Sequence, residues 1–128
     1  MTDGVDFRVL EGRFALVKLP SGSEVPPCPP NAEIWSVTVT EDEVSLVCPE
    51  GDAPTDPDEY IERSWRCIKV SGPLDFQLKG ILVSLLEPLA SAGVSVFALS
   101  TYFTDYILVK EHALKTAIEA LTAAGHRS

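Results

Sequence analysis

Residues 71–121 read SGPLDFQLKGILVSLLEPLASAGVSVFALSTYFTDYILVKEHALKTAIEAL, and the spacing of their apolar side chains switches from helical to alternating and back. Leu78, Ile81, Leu82, Leu85 and Leu89 recur at helical spacing, which predicts a helix over 76–92 with one buried face. Gly80 costs helix propensity and allows close approach to a sheet, and Pro88 should loosen the turn that its missing amide cannot close. Gly93 suits the left-handed residue that ends a helix. VSVFAL at 94–99 then alternates, with Val94, Val96 and Ala98 on one side and Ser95, Phe97 and Leu99 on the other. A turn in STYFTD leads to YILVK at 106–110, which makes a hairpin. From Glu111 the helical period returns in Leu114, Ala117, Ile118 and Leu121, with Lys115 and Glu119 spaced for a surface pair and Gly125 as a stop. A strand-like WRCIKV at 65–70 precedes all of this, so the order from 65 onward is β-α-β-β-α.

Two helical stripes on one face of a sheet bury each other's apolar surface, giving a two-layer α+β sandwich, and right-handed crossover places 65–70 beside 106–110. A complete β-α-β-β-α-β unit needs one more strand, most naturally FALVKL at 14–19. The first half reads as strands at 14–19, 33–39 and 43–48, the last two joined by a turn at Thr40–Asp42. Between the first two lies SGSEVPPCPPN, where Pro26, Pro27, Pro29 and Pro30 preclude a regular helix. Residues 49–59 read as an exposed linker, after which Asp56 could cap a short helix over 57–63. The expectation is two interlocked βαββαβ repeats: an irregular one at 1–62 and a regular one at 63–128.

The chain has 128 residues, 45% of them hydrophobic, enough for a real interior. Its net charge of -9 repels phosphate backbones and anionic lipid, which argues against nucleic acid and membrane as partners. Residues 41–62 carry nine acidic side chains and no Lys or Arg, as a hairpin tip and a solvated loop would. No apolar run approaches membrane-spanning length and the N-terminus lacks signal-peptide character, so a cytoplasmic location is expected. Cys28, Cys48 and Cys67 lack the close pairing of metal motifs, and the latter two fall in strands as small apolar side chains. Trp35 and Trp65 fit a core or sheet interface. His112 and His126 have no metal-ligand set near them and are expected at the surface.

On the strand, glycine turn and helix ending LEPLASAG, followed by a V-S-V strand and the hairpin LSTYFTDYILV, the chain resembles an ACT domain, a small-molecule-sensing relative of ferredoxin-like folds. It looks most like the tandem ACT proteins of the arginine-sensor group and small bacterial relatives. The likeness is close over 65–125 and looser before it. It implies amino-acid binding at an interface between ACT units, a homodimer or tandem pair with joined sheets, no catalysis and no cofactor. Carried over, Val70, Ser71, Gly72, Pro73 and Leu74 match the effector-contact loop. Ser100, Thr101, Tyr102 and Asp105 match a pattern S-T-aromatic-x-x-D whose aspartate contacts the ligand. Two departures stand out: the larger sensor holds four ACT units where this chain can hold two, and prolines replace the first helix.

Taken without the resemblance, amides at the start of a helix near Gly72–Asp75 could receive a carboxylate, although Pro73 donates nothing. The plainer reading makes SGPLD a tight connection in which Ser71 or Asp75 caps the helix. Asp105 could hold an ammonium or guanidinium group, or serve as a turn residue. Tyr102, Phe103 and Tyr106 could wall an aliphatic stem or pack against another subunit. An acylphosphatase-like site would need an arginine in SGPLD, an RNA-binding module would need a basic aromatic signature, and GxSxG, HExxH and phosphate-loop patterns do not occur. With the resemblance added, the expected activity is binding of an amino acid or similar small molecule in a regulatory role, with a protein-interaction module lacking a live pocket as the other reading.

Overall fold

The computed structural model describes residues 4–54, 60–71 and 80–128. Among these, the strands and helices run β1 (Phe7–Val9), β2 (Phe14–Pro20), β3 (Ser36–Val39), β4 (Glu43–Pro49), β5 (Ile61–Val70), α1 (Ile81–Ser91), β6 (Val96–Ser100), β7 (Asp105–Lys110) and α2 (Leu114–Ala123). The chain divides into two compact units, Gly12–Trp65 and Met1–Glu11 together with Arg66–Ser128, and β5 contributes residues to both.

In the helix-bearing unit the strands lie in the order β1-β5-β7-β6. Alternate residues of two strands, Ile68 and Val70 on β5 and Ile107 and Val109 on β7, join Phe7 of β1 in one buried cluster. Leu85 and Leu89 of α1 and Ala117 and Leu121 of α2 complete it, each pair four residues apart on one helix face. Burial of each large side chain is worth about 1.5–3 kcal/mol, which is what holds the helices to the sheet. Both helices end as the glycines foretold. Gly93 and Gly125 have φ of 76° and 100°, and beyond each the chain folds back in paired bonds: Gly93 to Ala90 and Val94 to Leu89, Gly125 to Thr122 and His126 to Leu121.

In the other unit the order is β3-β4-β2-β5, built on full-length antiparallel pairing of β2 with β4 from Phe14↔Pro49 to Pro20↔Glu43. Ala15, Val17, Leu46, Cys48 and Ile61 form its buried cluster, flanked by Leu19, Trp35, Val37 and Ala53. With β5 counted as the first strand of the helix-bearing unit and β1 as its fourth, both units have the order 4-1-3-2, the ferredoxin-like ACT arrangement. Interlocking follows because β5 is the fourth strand of one unit and then the first strand of the other.

Several expectations need correction. The strand completing the helix-bearing unit is β1, which pairs Phe7↔Val70, Arg8↔Lys69 and Val9↔Ile68; the strand expected there at 14–19 instead pairs with β4 and with the beginning of β5. The strand is only three residues long, and the alternation of Val5, Phe7 and Val9 with Asp6 and Arg8 stands beside a longer, more apolar run at 14–19. The helix expected over 57–63 is replaced at Ile61–Arg63 by strand, because β2 offers backbone partners there and Ile61 is buried; residues 55–59 lie outside those described. The strand expected at 33–39 begins only at Ser36, although Ile34 is buried. Helix α1 starts at Ile81 after Gly80, whose φ of 81° makes it a left-handed entry residue with open space around it rather than a close-packing site. The expected opening of that helix, 76–79, falls outside the described residues. His126 is buried at 4% exposure, contrary to the surface position expected, whereas His112 is exposed.

Candidate functional site

The hairpin β6–β7 closes with Ser100 paired opposite Asp105. Ser100 Oγ donates to Asp105 Oδ1 at 2.6 Å, which holds the half-buried carboxylate in one orientation. Inside the turn, the Thr101 amide donates to the Thr104 carbonyl at 2.9 Å and the Thr104 amide to Thr101 Oγ1 at 3.3 Å. Such side-chain and backbone bonds fix a four-residue tip without glycine. They also leave Tyr102 and Phe103 projecting, 85% and 50% exposed.

Thr104 ties this tip to the sheet. It is 2% exposed, and its Oγ1 donates to the Val70 carbonyl at 2.7 Å, at the last residue of β5. Ser71 follows at once, exposed, its amide donating to the Asp6 carbonyl at 2.8 Å. The hairpin residues Ser100, Thr101 and Asp105 and the first loop residue Ser71 are therefore gathered at one end of the sheet of this unit. Gly72, Pro73 and Leu74, the rest of the expected contact loop, lie outside the described residues. Sequence reasoning missed Thr104; a threonine between an exposed aromatic pair and an acid carries no sign of burial.

Chemically, Asp105 offers a carboxylate with Ser100 as its partner among the described residues, leaving acceptor capacity for a cationic group. Nearby on β5 and β7, the Lys69 ammonium lies 5.8 Å from the Tyr106 ring centroid. Tyr106 thus packs on the sheet surface rather than standing with Tyr102 and Phe103 at the tip. The other unit has an open recess of about 130 Å³ lined by Lys18, Leu19, Pro20 and Tyr60, none of them an expected site residue.

Among the described residues, no three His, Cys, Asp or Glu side chains cluster as metal ligands, and no helix is long and apolar enough to cross a membrane. Cys48 and Cys67 are buried and free, and Cys28 is exposed. Burial, reinforced by the negative charge of Asp52, pushes the Cys48 thiol up to about 11, so it stays protonated at neutral pH and packs as an apolar group.

Comparison with known proteins agrees with this architecture. The family model for the ACT domain matches residues 60–123, half of the chain. The bovine protein named cytosolic arginine sensor for mTORC1 subunit 1 is 37% identical over 98 residues, covering 70% of this chain and 30% of that protein. The chain therefore spans about a third of the length of the curated relatives it matches. The crystal structure of protein Atu0741 from Agobacterium tumefaciens superimposes with a TM-score of 0.89 at 29% identity, covering 98% of this chain and 92% of that one. Aspartate kinase from Clostridium acetobutylicum, described as an allosteric enzyme, superimposes with a TM-score of 0.64 at 15% identity over 92% of this chain and 33% of its own.

Proposed function

The chain belongs to the ACT domain family, and from that footing we propose that it is a cytoplasmic regulatory module that binds an amino acid where two ACT units of a homodimer meet. ACT domains are small-molecule-binding regulatory modules, and the arginine sensor and the allosteric aspartate kinase carry amino-acid chemistry in their names. The observation that carries the proposal is the 2.7 Å bond from the Thr104 hydroxyl to the Val70 carbonyl. It holds the hairpin bearing Asp105 at the mouth of the loop that begins with Ser71. In this reading the ligand's carboxylate lies near the loop Ser71 to Leu74, where the Ser71 amide is already bonded to Asp6 and Pro73 has none to give, and its cationic group lies against Asp105, with Ser100, Thr101 and Tyr102 around it. The module senses; it does not catalyse. Output requires that the ligand favour one arrangement of the dimer over another, since equal affinity for both shifts nothing.

A thermal shift series with the twenty amino acids tests this. A ligand bound only to the folded state raises the midpoint, by about 2.7 kcal/mol of added stability at a hundredfold excess over Kd. Asp105→Ala should then weaken that ligand by about tenfold or more, the scale of a lost charge-assisted bond, while moving the ligand-free midpoint little. Equal calorimetric affinity for the variant and its parent removes Asp105 from the site. No shift with any amino acid favours the interaction-module reading, for which the exposed Tyr102 and Phe103 are the natural contact.

A further inference from the structure

His126 occupies a position that neither the amino-acid site nor the family resemblance explains. The fold-back after α2 places it just beyond Gly125, with its amide on the Leu121 carbonyl at 3.0 Å and its ring turned inward. Both ring nitrogens are committed. The Val5 amide donates to Nδ1 at 3.1 Å, so Nδ1 must present a lone pair. The proton is thereby assigned to Nε2, which lies 2.8 Å from the Ser84 carbonyl and donates to it. Ser84 stands four residues before Pro88, and that carbonyl would have received the amide that proline lacks. The imidazole of a distant residue thus supplies the hydrogen bond that α1 cannot make for itself.

Around the ring the chain termini are laced together. The Arg127 amide donates to the Val5 carbonyl at 3.0 Å, the Phe7 amide to the Arg127 carbonyl at 2.7 Å, and Arg127 Nη2 to the Gly4 carbonyl at 3.1 Å. A Cβ on Gly4 would overlap the Gly125 carbonyl oxygen, so the N-terminal segment lies hard against the turn that carries His126. The charged groups on the segments holding the ring are Asp6 and Arg8, Glu87 on α1, Lys115 and Glu119 on α2, and Arg127. Asp6 and Arg127 pair with each other at 2.7 Å, and the ring's own bonds go to Val5 and Ser84. No carboxylate is bonded to an imidazolium here among the described residues to compensate its charge.

We propose that His126 is an acid-opened latch: its neutral ring holds α1, the C-terminal tail and the segment leading into β1 together, and its protonation releases that segment. Protonated Nδ1 would point an N–H at the Val5 N–H, replacing a bond with donor facing donor. Proton uptake at Nδ1 therefore favours the open form, so the latch weakens as pH falls. What opens is the edge of the sheet, because β1 is the strand that covers β5.

Nitrogen-15 NMR of the imidazole in the full chain at neutral pH should show Nε2 protonated and Nδ1 bare; the opposite tautomer overturns the proposal. Amide exchange, corrected for the intrinsic rate, should lose about tenfold protection at Val5 and Arg127 between about pH 7.5 and about pH 5. The Val94 amide, bonded within the end of α1, is the internal reference and should hold. Constant protection at Val5 across that range overturns the latch. His126→Gln keeps one donor and one acceptor but does not titrate, so its Val5 protection should be flat with pH, and a parental pH response in it would also overturn the proposal. If that variant does not fold, the tautomer and the parent's exchange profile decide the matter.

Discussion

Thr104 serves two structures with one short side chain: its backbone closes the hairpin tip on Thr101, and its hydroxyl caps the Val70 carbonyl at the end of β5. Thr104→Val keeps the shape and removes the donor, leaving a buried carbonyl unpaired at a cost of about 1–3 kcal/mol. Denaturant unfolding should show a lower midpoint with an unchanged slope, and Thr104→Ser, which keeps the hydroxyl, should recover most of the loss. Equal stability of the valine variant would mean that water replaces the bond and that the hairpin is not pinned. At this scale the sequence was partly legible. Ser100 and Asp105 stood out through the family resemblance, which matches them to the pattern S-T-aromatic-x-x-D, and the structure bonds them to each other. Thr104 and His126 were opaque, since what buries them arrives from β5, α1 and the N-terminus, far away along the chain.

Strand β5 contributes residues to both units, and it is not regular. Its register against β2 slips by one residue between Trp65 and Glu62, and Ser64 at the slip has φ of 66°. Glu50 holds it there, accepting the Ser64 amide at 2.8 Å while its own amide donates to the Arg13 carbonyl at 2.9 Å. One of the acidic residues assigned to a solvated loop is thus a structural clamp. A left-handed conformation costs a non-glycine residue about 1–2 kcal/mol, so Ser64→Gly should be neutral or stabilising by up to about 1 kcal/mol after the entropy of glycine is counted. Ser64→Val should destabilise, because a β-branched side chain resists positive φ, and chemical denaturation of the two variants reads the sign directly. A glycine variant as damaged as the valine one would show that the hydroxyl, not the backbone angle, matters. The same element explains the misread helix. DPDEYIER carries local helix-start chemistry, but pairing of Ile61 and Glu62 with Val17 and Leu16 outweighs it, and a partner strand does not show in a local window. The helical stripes of α1 and α2 were legible because their burial is periodic within each segment.

Among the described residues the chain repeats one strand order twice without repeating its helices, and the closing strand of the helix-bearing unit comes from its other end. The fold class follows from the 65–121 pattern alone, but this closure does not: FALVKL at 14–19 is the longer and more apolar run, whereas Phe7–Val9 alternates apolar and polar residues over only three positions. The two assignments make opposite predictions for a chain lacking residues 1–11. If 14–19 closed the unit, the deletion would cost little. With β1 in that place it removes Phe7, 2% exposed, from the cluster of Ile68, Val70, Leu85 and Leu121, and strips the antiparallel partner from the end of β5. It also takes away the Val5 and Asp6 groups that hold His126 and Arg127. Loss of one buried phenylalanine costs about 3–5 kcal/mol, a large share of the roughly 5–15 kcal/mol that keeps a domain folded. The truncated chain should therefore lose the dispersed methyl resonances of Leu85, Leu89 and Leu121 and much of its helical circular dichroism. Retention of both signals, with an unfolding midpoint like the parent's, would show that β1 is dispensable and that β5 is closed by something else.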